Sequence, residues 1–306
     1  MKKVNSISNP KMIEELINEI IKQNNFQQNF LKYSLALLKN NEKREFLNYI
    51  QYCNSIGKDI YYLAKAYNQM SNDAMKEQLY FKRHNKYRYD SQHQINKIVY
   101  ANSEYMEMYM HGLAVSSFLW TQHIKIRRYF ENVFPKNITG QYLEIGPGHG
   151  YFFLKALQNC AYNFFTGIDI SPISAEIAKD FLIKSNNQLN NFDIIVSDFL
   201  SFETTKRFSG IVMGEVLEHV EDPYIMLRKI VDVSDQNPNI FITTCINAPM
   251  IDHIYLFRSL EEVDDLIYSA GLRTVNKMAV PYSEKSLKES LDNKLPVNVA
   301  FLLTVE

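Results

Sequence analysis

Four side chains in the second half of the chain have the groups that proton transfer or metal binding requires. Glu215, Glu218 and His219 lie close together in the sequence, and His253 follows later. Histidine titrates near neutral pH, so His219 and His253 are the candidate catalytic bases. Structural roles stay open for both: His219 could brace a helix, and His253 could be a loop residue satisfied by backbone or water.

The same four residues raise the alternative of a metal site. Two carboxylates and two imidazoles could hold a divalent ion, which would bind neighbouring hydroxyls of a ligand. A sequence specifies Mg²⁺ sites poorly, because this ion keeps several water ligands. We therefore assign no metal ligands from the sequence.

A glycine-rich turn supplies the strongest indication of a ligand site. An apolar run from Tyr142 contains Glu144 and leads into Gly146, Gly148 and Gly150. Alternate glycines after a strand allow a tight turn and let a ligand press against the backbone. The spacing differs from the pattern that cradles a diphosphate, and Glu144 would repel one. A cationic ligand such as S-adenosylmethionine (SAM), with its ammonium and sulfonium groups, suits the turn better.

Two more acidic residues follow apolar runs downstream of the turn. Asp169 ends the run that begins at Phe164, at a distance from Gly150 that fits a helix and a return strand. An acid at this place can accept hydrogen bonds from both ribose hydroxyls. Asp198 and Phe199 end the next run, and this pair could hydrogen-bond an adenine amino group and cover its ring.

These side chains need a scaffold that brings strand ends together. Apolar runs alternate with helical patterns, which predicts a parallel sheet with helices on both faces. Ligands on such sheets bind at the carboxyl ends of the strands, where the acidic residues fall. A helix over Leu260–Ala270 is predicted to end at Gly271 in the C′ position. The predicted strands begin at Gln141, Phe164, Phe192, Ser209, Ile240, Arg273 and Val297.

The first part of the chain lacks strand signals and glycine-rich turns. We therefore predict an all-helical region over residues 1–130 and a SAM-binding α/β domain over 131–306. Asn9-Pro10 is a helix start, an N-cap followed by proline at the first helical position. The polar residues 82–98 are predicted as a linker. Further helix ends are expected near Asn40-Asn41, at Gly57 and near Phe81.

At these motifs the chain resembles the class I SAM-dependent methyltransferases. The matching segments, in the family's order, are Leu-Glu-Ile-Gly-Pro-Gly-His-Gly, Gly-Ile-Asp-Ile-Ser-Pro, Ser-Asp-Phe and Glu-Val-Leu-Glu-His-Val-Glu-Asp-Pro. The last segment looks most like the branch that methylates small molecules such as quinone precursors. The resemblance covers roughly residues 110–306. It implies a seven-stranded, mostly parallel, Rossmann-like SAM-binding sheet preceded by the helical region.

The resemblance also implies roles for single residues. In this family the helices before the first strand often close over SAM and shape the acceptor pocket, so Tyr109 and His111 are expected to contact the acceptor. Methyltransferases that modify the terminal ribose of small RNAs use a Glu-x-x-Glu-His arrangement similar to the one that contains Glu215. Cofactor contacts are expected from Glu144, Gly146, Gly148, Gly150, Asp169, Ile170, Asp198, Phe199 and Glu215.

The composition of the chain limits the classes of partner and the compartment that we expect. The formal net charge of −1 gives no global field that would draw nucleic acid or an anionic membrane. The apolar stretches are far shorter than a bilayer span, and no apolar segment of a secretory signal follows the N-terminus. Three scattered cysteines favour a reducing compartment, so we expect a cytoplasmic protein. The basic, aromatic residues 82–89 could track a phosphate backbone or touch an acidic carrier protein, but a solvated helix end is favoured.

We therefore expect a methyltransferase that acts on a small molecule, in a specialised biosynthetic pathway. The first rival keeps SAM and closes its own chain into a cyclic amino acid, with release of methylthioadenosine. The second is a metal-assisted methyltransferase of RNA ribose. The helical region is long enough to form a homodimer contact or a carrier-protein contact as well.

Overall fold

The structure is a computed structural model that describes residues 11–185, 191–282 and 285–306. The helix start predicted at Asn9-Pro10 lies outside these residues. The first described helix begins at Lys11 and buries Leu16 and Ile20. Among the described residues no helix is long and apolar enough to cross a membrane.

Helices make up the first part of the described chain, as the sequence predicts. Asp59 caps the long α4 by accepting a hydrogen bond from the backbone N–H of Tyr62 at 2.8 Å. Asn102 caps α6 in the same way, with Tyr105 as the donor at 3.0 Å. The bounds are α1 Lys11–Gln23, α2 Gln28–Leu37, α3 Asn40–Ser55, α4 Ile60–His84, α5 Gln92–Ile95, α6 Ser103–Leu119 and α7 Thr121–Val133.

Two sequence predictions for this region need correction. Asn40 and Asn41 begin α3 and do not end α2, because Glu42 accepts a hydrogen bond from the backbone N–H of Lys39 at 2.7 Å and so stabilises a helix start. Residues 82–98 are not simply a linker. They contain the end of α4, all of α5 and part of a π-helical turn over Asn96–Tyr100.

The polar segment after α4 is ordered by side-chain contacts that its composition does not reveal. Arg88 pairs with Glu77 at 2.9 Å and stacks over the ring of Tyr80 at 4.2 Å. Tyr87 is buried, and its ring lies 5.9 Å from that of His253. Tyr87 therefore packs into the protein and Arg88 is held at its surface, while Lys82, Arg83 and Lys86 are exposed.

The second part of the chain forms the expected sheet. The described residues contain seven strands in the order β3-β2-β1-β4-β5-β7-β6, and only β7 runs antiparallel to its neighbours. The strand bounds are β1 Gln141–Ile145, β2 Phe164–Asp169, β3 Phe192–Val196, β4 Phe208–Gly214, β5 Ser234–Ile246, β6 Leu272–Pro281 and β7 Val297–Val305. The helices between them are α8 Tyr151–Asn159, α9 Pro172–Ser185, α10 Pro223–Val233, α11 Leu260–Ser269 and α12 Leu287–Asp292.

Both faces of the sheet are covered. Tyr142 packs with Phe153 of α8 and Phe130 of α7 on one face. The next residue, Leu143, packs with Leu227 of α10 on the other. This alternation follows from the two-residue period of a strand and explains why β1 is buried from Tyr142 to Ile145. Gly271 ends α11 with a φ of +82°, as predicted.

Helix α6 connects the helical region to the sheet. It packs against α4 at Gly112, where an added Cβ would lie 2.7 Å from the Ala66 carbonyl oxygen and 2.9 Å from the Met70 Cβ. Only glycine allows this approach. Because α6 is held so close to α4, the side chains of Tyr109 and Met110 reach a cavity above the strand ends.

Candidate active site

A cavity of about 1480 Å³ lies at the carboxyl ends of β1, β2, β3 and β4. On the sheet side the turns after these strands line it. On the other side it is closed by α6, by the π-helical turn and by the loop after β5. It then continues into the first helices of the chain. The described methionines in its wall are Met75, Met106, Met110, Met226 and Met250.

Gly148 leaves room in the glycine turn. Its φ is +54°, and an added Cβ would have no neighbour nearer than the Gly146 oxygen at 3.9 Å and the Met110 sulfur at 4.0 Å. Gly146, with a φ of +64°, differs, because a Cβ there would meet Val216 at 2.8 Å. Gly148 is thus the position where a missing side chain leaves open cavity.

Gly150 does not line the cavity. It caps the start of α8 with a φ of +80°, and its N–H donates to the Pro147 carbonyl at 2.7 Å. An added Cβ would touch Ala178 at 3.5 Å, on the side of α9. The expected contact between Gly150 and the cofactor therefore needs correction: this glycine shapes the turn.

Asp169 lies where the sequence predicts, at the end of β2. It is buried, and its carboxylate accepts hydrogen bonds from the backbone N–H of Gly148 at 3.2 Å and of Ser171 at 2.9 Å. Burial raises the pKa of Asp169 to about 6, and the two backbone donors lower it in part. A carboxylate fixed beside an open glycine turn is well placed to accept ribose hydroxyls.

The expected adenine contacts also lie at the cavity. Asp198 is exposed after β3, and one of its oxygens accepts from the Leu200 N–H at 3.0 Å. Phe199 is buried beside it, and Ile170 is half exposed at the cavity wall. The three side chains surround one end of the cavity with a carboxylate and apolar groups, which fits a nucleobase.

Glu144 lies at the cavity floor, but its carboxyl is buried. The hydroxyl of Tyr142, two residues earlier on the same face of β1, donates a hydrogen bond to it. Burial raises the pKa of Glu144 to about 8, so this carboxyl is largely neutral at pH 7. The charge that we expected to repel a diphosphate is therefore removed by burial.

Glu215, which is half-buried, and Glu218, which is fully buried, form an acidic pair beside the cavity. Glu215 has a φ of +53°, and its N–H donates to the carbonyl and the hydroxyl of Thr243, both at 3.0 Å. Asn298 donates to the Glu215 carboxylate at 3.1 Å, and Thr244 donates to that of Glu218 at 2.7 Å. The second oxygen of each carboxylate has no partner among the described residues.

The two carboxyls perturb each other. Burial raises the pKa of Glu218 well above its ordinary value, and the neighbouring Glu215 carboxylate raises it further. Burial also raises the pKa of Glu215. One proton between the two carboxyls, or a cation, would satisfy the oxygens that lack partners.

His219 and His253 lie together, as their positions after β4 and β5 predict. Their ring centroids are 4.8 Å apart and the rings are perpendicular. The loop that contains His253 is hydrogen-bonded to the residue before His219, because the backbone N–H groups of Ile254 and Tyr255 donate to the Glu218 carbonyl at 2.9 and 3.0 Å. The two imidazoles therefore face one part of the cavity.

Hydrogen bonds set the tautomer of both histidines. Nδ1 of His219 lies 2.9 Å from the Asp252 carbonyl oxygen, and Nδ1 of His253 lies 2.7 Å from the Ala248 carbonyl oxygen. A carbonyl only accepts, so both Nδ1 atoms carry a proton, and in the neutral ring the lone pair is then on Nε2. Burial lowers the pKa of His253 to about 3, which keeps that ring neutral.

Tyr109 lines the cavity as expected. Its hydroxyl donates to the Asp252 carboxylate at 2.9 Å, and the other oxygen of Asp252 lies 3.5 Å from Nδ1 of His219. Asp252 is itself buried. This acid, which our sequence reasoning missed, links the helical region to the candidate base. Its position directly before His253 was the available signal.

Tyr100 is a second residue that the sequence did not reveal. It ends the π-helical turn, and its half-buried ring lines the cavity. Burial raises the pKa of Tyr100 well above its ordinary value, and the negative charges of Asp252 and Asp169 raise it further. Its hydroxyl therefore stays protonated and can donate a hydrogen bond inside the cavity.

His111 needs correction. It is fully buried in the helical core and does not line the cavity. Its Nδ1 lies 2.8 Å from the Tyr49 hydroxyl, and its Nε2 has no partner among the described residues. Burial lowers its pKa to about 4. The contact between His111 and an acceptor is not supported, because the ring points from α6 toward α3.

The structure is an α/β fold with a large ligand cavity at the carboxyl ends of its strands. A methyltransferase domain family matches residues 121–293, which is more than half of the chain. The chain belongs to this family, its cofactor is SAM, and it is a transferase. No curated protein matches the chain.

Solved structures show the same fold. A chain of the complex between the Haloferax volcanii Trm112 methyltransferase activator and a methyltransferase matches with a TM-score of 0.51 at 12% identity, over 67% of this chain and 96% of that one. The Haemonchus contortus phosphoethanolamine N-methyltransferase 2, bound to phosphomonomethylethanolamine and S-adenosylhomocysteine, matches with a TM-score of 0.51 at 14% identity, over 71% and 60%.

A pH experiment tests the role of Asp169. If the ionised carboxylate accepts the ribose hydroxyls, the affinity for SAM should be constant above pH 6 and fall below it, because the pKa of Asp169 is about 6. The fall should approach about tenfold per pH unit. Asp169→Asn should lose this dependence and bind SAM about 1–3 kcal/mol more weakly at pH 7.5. Isothermal titration calorimetry between pH 5 and 8 measures both effects.

Asp193→Asn is the matched control. Asp193 is exposed on β3 and lies outside the cavity, so this variant should keep the wild-type dependence on pH. An Asp169→Asn protein that binds SAM as the wild type does at every pH would show that the ribose lies elsewhere.

Proposed function

We propose that the protein transfers the methyl group of SAM to a small-molecule acceptor held between the strand ends and α6. The continuity of the cavity carries this proposal: one space of about 1480 Å³ joins the glycine turn to the helical region. Sites for single drug-sized ligands have volumes of roughly 300–1,000 Å³. This cavity is therefore large enough for a cofactor and an acceptor side by side.

The proposed cofactor contacts are made by residues in the turns after β1, β2 and β3. We propose that Asp169 binds the ribose, that Asp198 and Phe199 bind the adenine, and that Gly148 leaves room for the remainder. SAM supplies an electrophilic methyl group on a sulfonium that is already a good leaving group. The contribution of the chain is to hold the acceptor close and in line, which can supply much of the rate.

His219 is the proposed general base. Its Nδ1–H is fixed by Asp252, so the lone pair on Nε2 is available to take a proton from an acceptor hydroxyl or amine. Asp252 and Tyr109 are positioning residues, because the carboxylate of Asp252 lies beside the ring of His219 and is itself held by the hydroxyl of Tyr109.

The rival reactions receive less support. Cyclisation of SAM needs a closed pocket without room for an acceptor, and this cavity extends far beyond the cofactor turn. RNA binding relied on residues 82–89, where Arg88 is paired with Glu77 and Tyr87 is buried. The helical region stays our prediction for a contact with a second copy or a carrier protein.

A metal-assisted version of the reaction is the second candidate. Ligand atoms of Glu218, His219 and His253 lie within 4.8 Å of one another. Both histidines keep a lone pair on Nε2 while Nδ1 donates to a carbonyl, which is also how protein imidazoles bind metals. One oxygen of Glu218 has no partner among the described residues. A divalent ion there would bind acceptor hydroxyls in place of proton removal by His219.

Mass spectrometry of the purified protein with SAM and cell extract tests the main proposal. S-adenosylhomocysteine that forms only with extract, together with a methylated small molecule, is the expected result. Methylthioadenosine formed from SAM alone would overturn it in favour of cyclisation. Methylated products that are retained by a membrane permeable to small molecules would indicate a macromolecular acceptor.

Chelation separates the two versions of the reaction. We expect dialysis against EDTA to leave activity within about twofold of the untreated enzyme, because a base needs no ion. A loss of roughly tenfold or more, reversed by Mg²⁺, Mn²⁺ or Zn²⁺, would establish the metal-assisted version. Binding of S-adenosylhomocysteine by the dialysed protein serves as the control for an intact fold.

A further inference from the structure

The cavity extends to a wall formed by the first helices of the chain, where no residue is proposed to bind the cofactor. This part of the cavity is formed by the end of α1, the start of α2 and the middle of α4, and we call it the distal lobe. No described residue that lines the distal lobe is charged, and its polar members carry amides or a hydroxyl. The lining residues are Gln23, Asn24, Phe26, Gln27, Phe30, Ser71, Asn72, Ala74, Met75 and Gln78.

The lining of the distal lobe is uncharged although α4, which supplies part of it, carries charged residues. Asp73 and Glu77 of α4 are neighbours of the lining residues in the sequence, but they do not line the cavity. Asp73 accepts from the Tyr105 hydroxyl at 2.9 Å and pairs with Lys76 at 2.8 Å. Glu77 pairs with Arg88 at 2.9 Å. The charges of this stretch therefore point away and are neutralised outside the lobe.

The nearest cation in the cavity wall is also committed elsewhere. Among the described lining residues, Arg127 is the only arginine or lysine. It donates to Glu45 at 3.1 Å and to the Ser117 carbonyl at 2.9 Å. Its guanidinium lies 4.2 Å from the Phe118 ring and 4.0 Å from the Tyr151 ring. Its buried Nε has no partner among the described residues, but Arg127 is not one of the residues that line the distal lobe. An anionic group inside the lobe would therefore lose its water without meeting a cationic side chain there.

Apolar side chains are left open to solvent at the lobe. Phe26 is 96% exposed, Met75 58% and Phe30 37%. These side chains line the same continuous space as the glycine turn and His219, so a molecule that reacts at the strand ends can cover them. The amide oxygens of Gln27 and Asn72 already accept from Tyr67 and Asn24, so their amide nitrogens are the groups that can donate to neutral acceptors.

We infer that the acceptor carries an elongated, uncharged body of aromatic or aliphatic character, which lies in the distal lobe while its reacting group faces His219. This inference rests on the proposed function. It excludes acceptors with a phosphate, sulfate or carboxylate at the end remote from the methylated atom. It also makes the lobe the part of the enzyme that selects the acceptor, by charge.

A matched pair of fluorescent probes tests the inference. N-phenyl-1-naphthylamine is uncharged, and 8-anilino-1-naphthalenesulfonate has the same rings with a sulfonate added. Both are titrated into protein saturated with S-adenosylhomocysteine, so that the cofactor end is filled. We expect saturable binding of the uncharged probe and binding of the sulfonate about tenfold weaker.

A single substitution should reverse this preference. Met75→Arg places a cation at the lobe, and should weaken the uncharged probe several-fold while it strengthens the sulfonate about tenfold. Tyr61→Arg is the control, because Tyr61 is exposed on the same helix but lies outside the cavity. This control should bind both probes as the wild type does.

The outcomes separate the inference from the proposed function. The inference is overturned if the wild-type protein binds the sulfonate as tightly as the uncharged probe or binds neither probe. It is also overturned if Met75→Arg and Tyr61→Arg behave alike. Each of these results counts against the inference only if the protein still binds S-adenosylhomocysteine. Failure to bind S-adenosylhomocysteine at all would instead remove the proposed function.

Discussion

His219→Ala should lower kcat by roughly 10²–10⁴-fold, the usual contribution of a positioned general base. The ring lines the cavity, its Nδ1–H is fixed by the Asp252 carbonyl at 2.9 Å, and its Nε2 is left to accept a proton. Binding of SAM should change little, because the proposed cofactor contacts are made by other residues. Steady-state assays with the acceptor found by mass spectrometry measure kcat, and calorimetry measures SAM affinity.

Two further variants make this result specific. His93→Ala removes an exposed histidine of α5 outside the cavity and should leave kcat unchanged. His253→Ala should cost less than His219→Ala if His219 acts as a base, and added imidazole should restore part of the His219→Ala activity. Equal losses in both variants, with rescue by a divalent ion, would assign the pair to metal binding. Unchanged kcat in His219→Ala would remove the base from the mechanism.

Gly148→Leu should raise the Kd of SAM by about 100-fold or more. An added side chain would project into open cavity, since its Cβ has no neighbour nearer than 3.9 Å. The new leucine would therefore fill space that the cofactor needs. Equilibrium dialysis with labelled SAM measures the change, and the reaction should fail at ordinary SAM concentrations.

Backbone strain alone has to be separated from filled space. Gly148 has a φ of +54°, so any side chain there costs about 1–2 kcal/mol of folding stability. Gly57→Leu is the matched control: its φ is +81°, and an added Cβ would have no neighbour within 4 Å. Both variants should lose similar stability in thermal unfolding, but only Gly148→Leu should lose SAM. Equal SAM affinity in the two would show that the turn does not contact the cofactor.

The strands and the cofactor turn could be predicted because their signals are local. An apolar run that ends in a glycine or an acid specifies β1 and β2 with few residues, and the order of such runs specifies a parallel sheet. Asp169 and Gly148 could be predicted for the same reason, since Asp169 ends β2 and Gly148 lies in the turn that follows β1. The helix end at Gly271 needed only a glycine after a periodic pattern.

The side of the cavity proposed for the acceptor could be predicted only in part, because it is assembled from contacts between distant segments. Tyr109 meets Asp252 only when α6 is laid over the loop after β5. Tyr100 lies just after the polar residues 82–98, in a π-helical turn whose Val99 is buried in the helical core. His111 and Tyr109 are two residues apart on one helix, and only the position of that helix decides which of them faces the cavity.

The charge states and ion pairs of the site could not be predicted from the sequence either. Glu144 was expected to act through its negative charge, but burial beside Tyr142 raises its pKa to about 8. Of the basic residues 82–89, Lys82, Arg83 and Lys86 are exposed, as predicted for a solvated helix end, but Arg88 pairs with the buried Glu77 at the surface, which the composition does not reveal. Charge depends on the surrounding dielectric, which a residue type does not specify.

The methionines of the cavity wall have a consequence for how the enzyme distinguishes molecules. Met75, Met106 and Met110 come from the two helices that bound the acceptor side, and thioether side chains adapt their shape at little cost. A wall of this kind tolerates additional methylenes or a shifted ring, while an uncharged lobe rejects an ionised group whatever its shape. Related neutral molecules can therefore share one active site, and a new acceptor can be acquired without rebuilding the cavity.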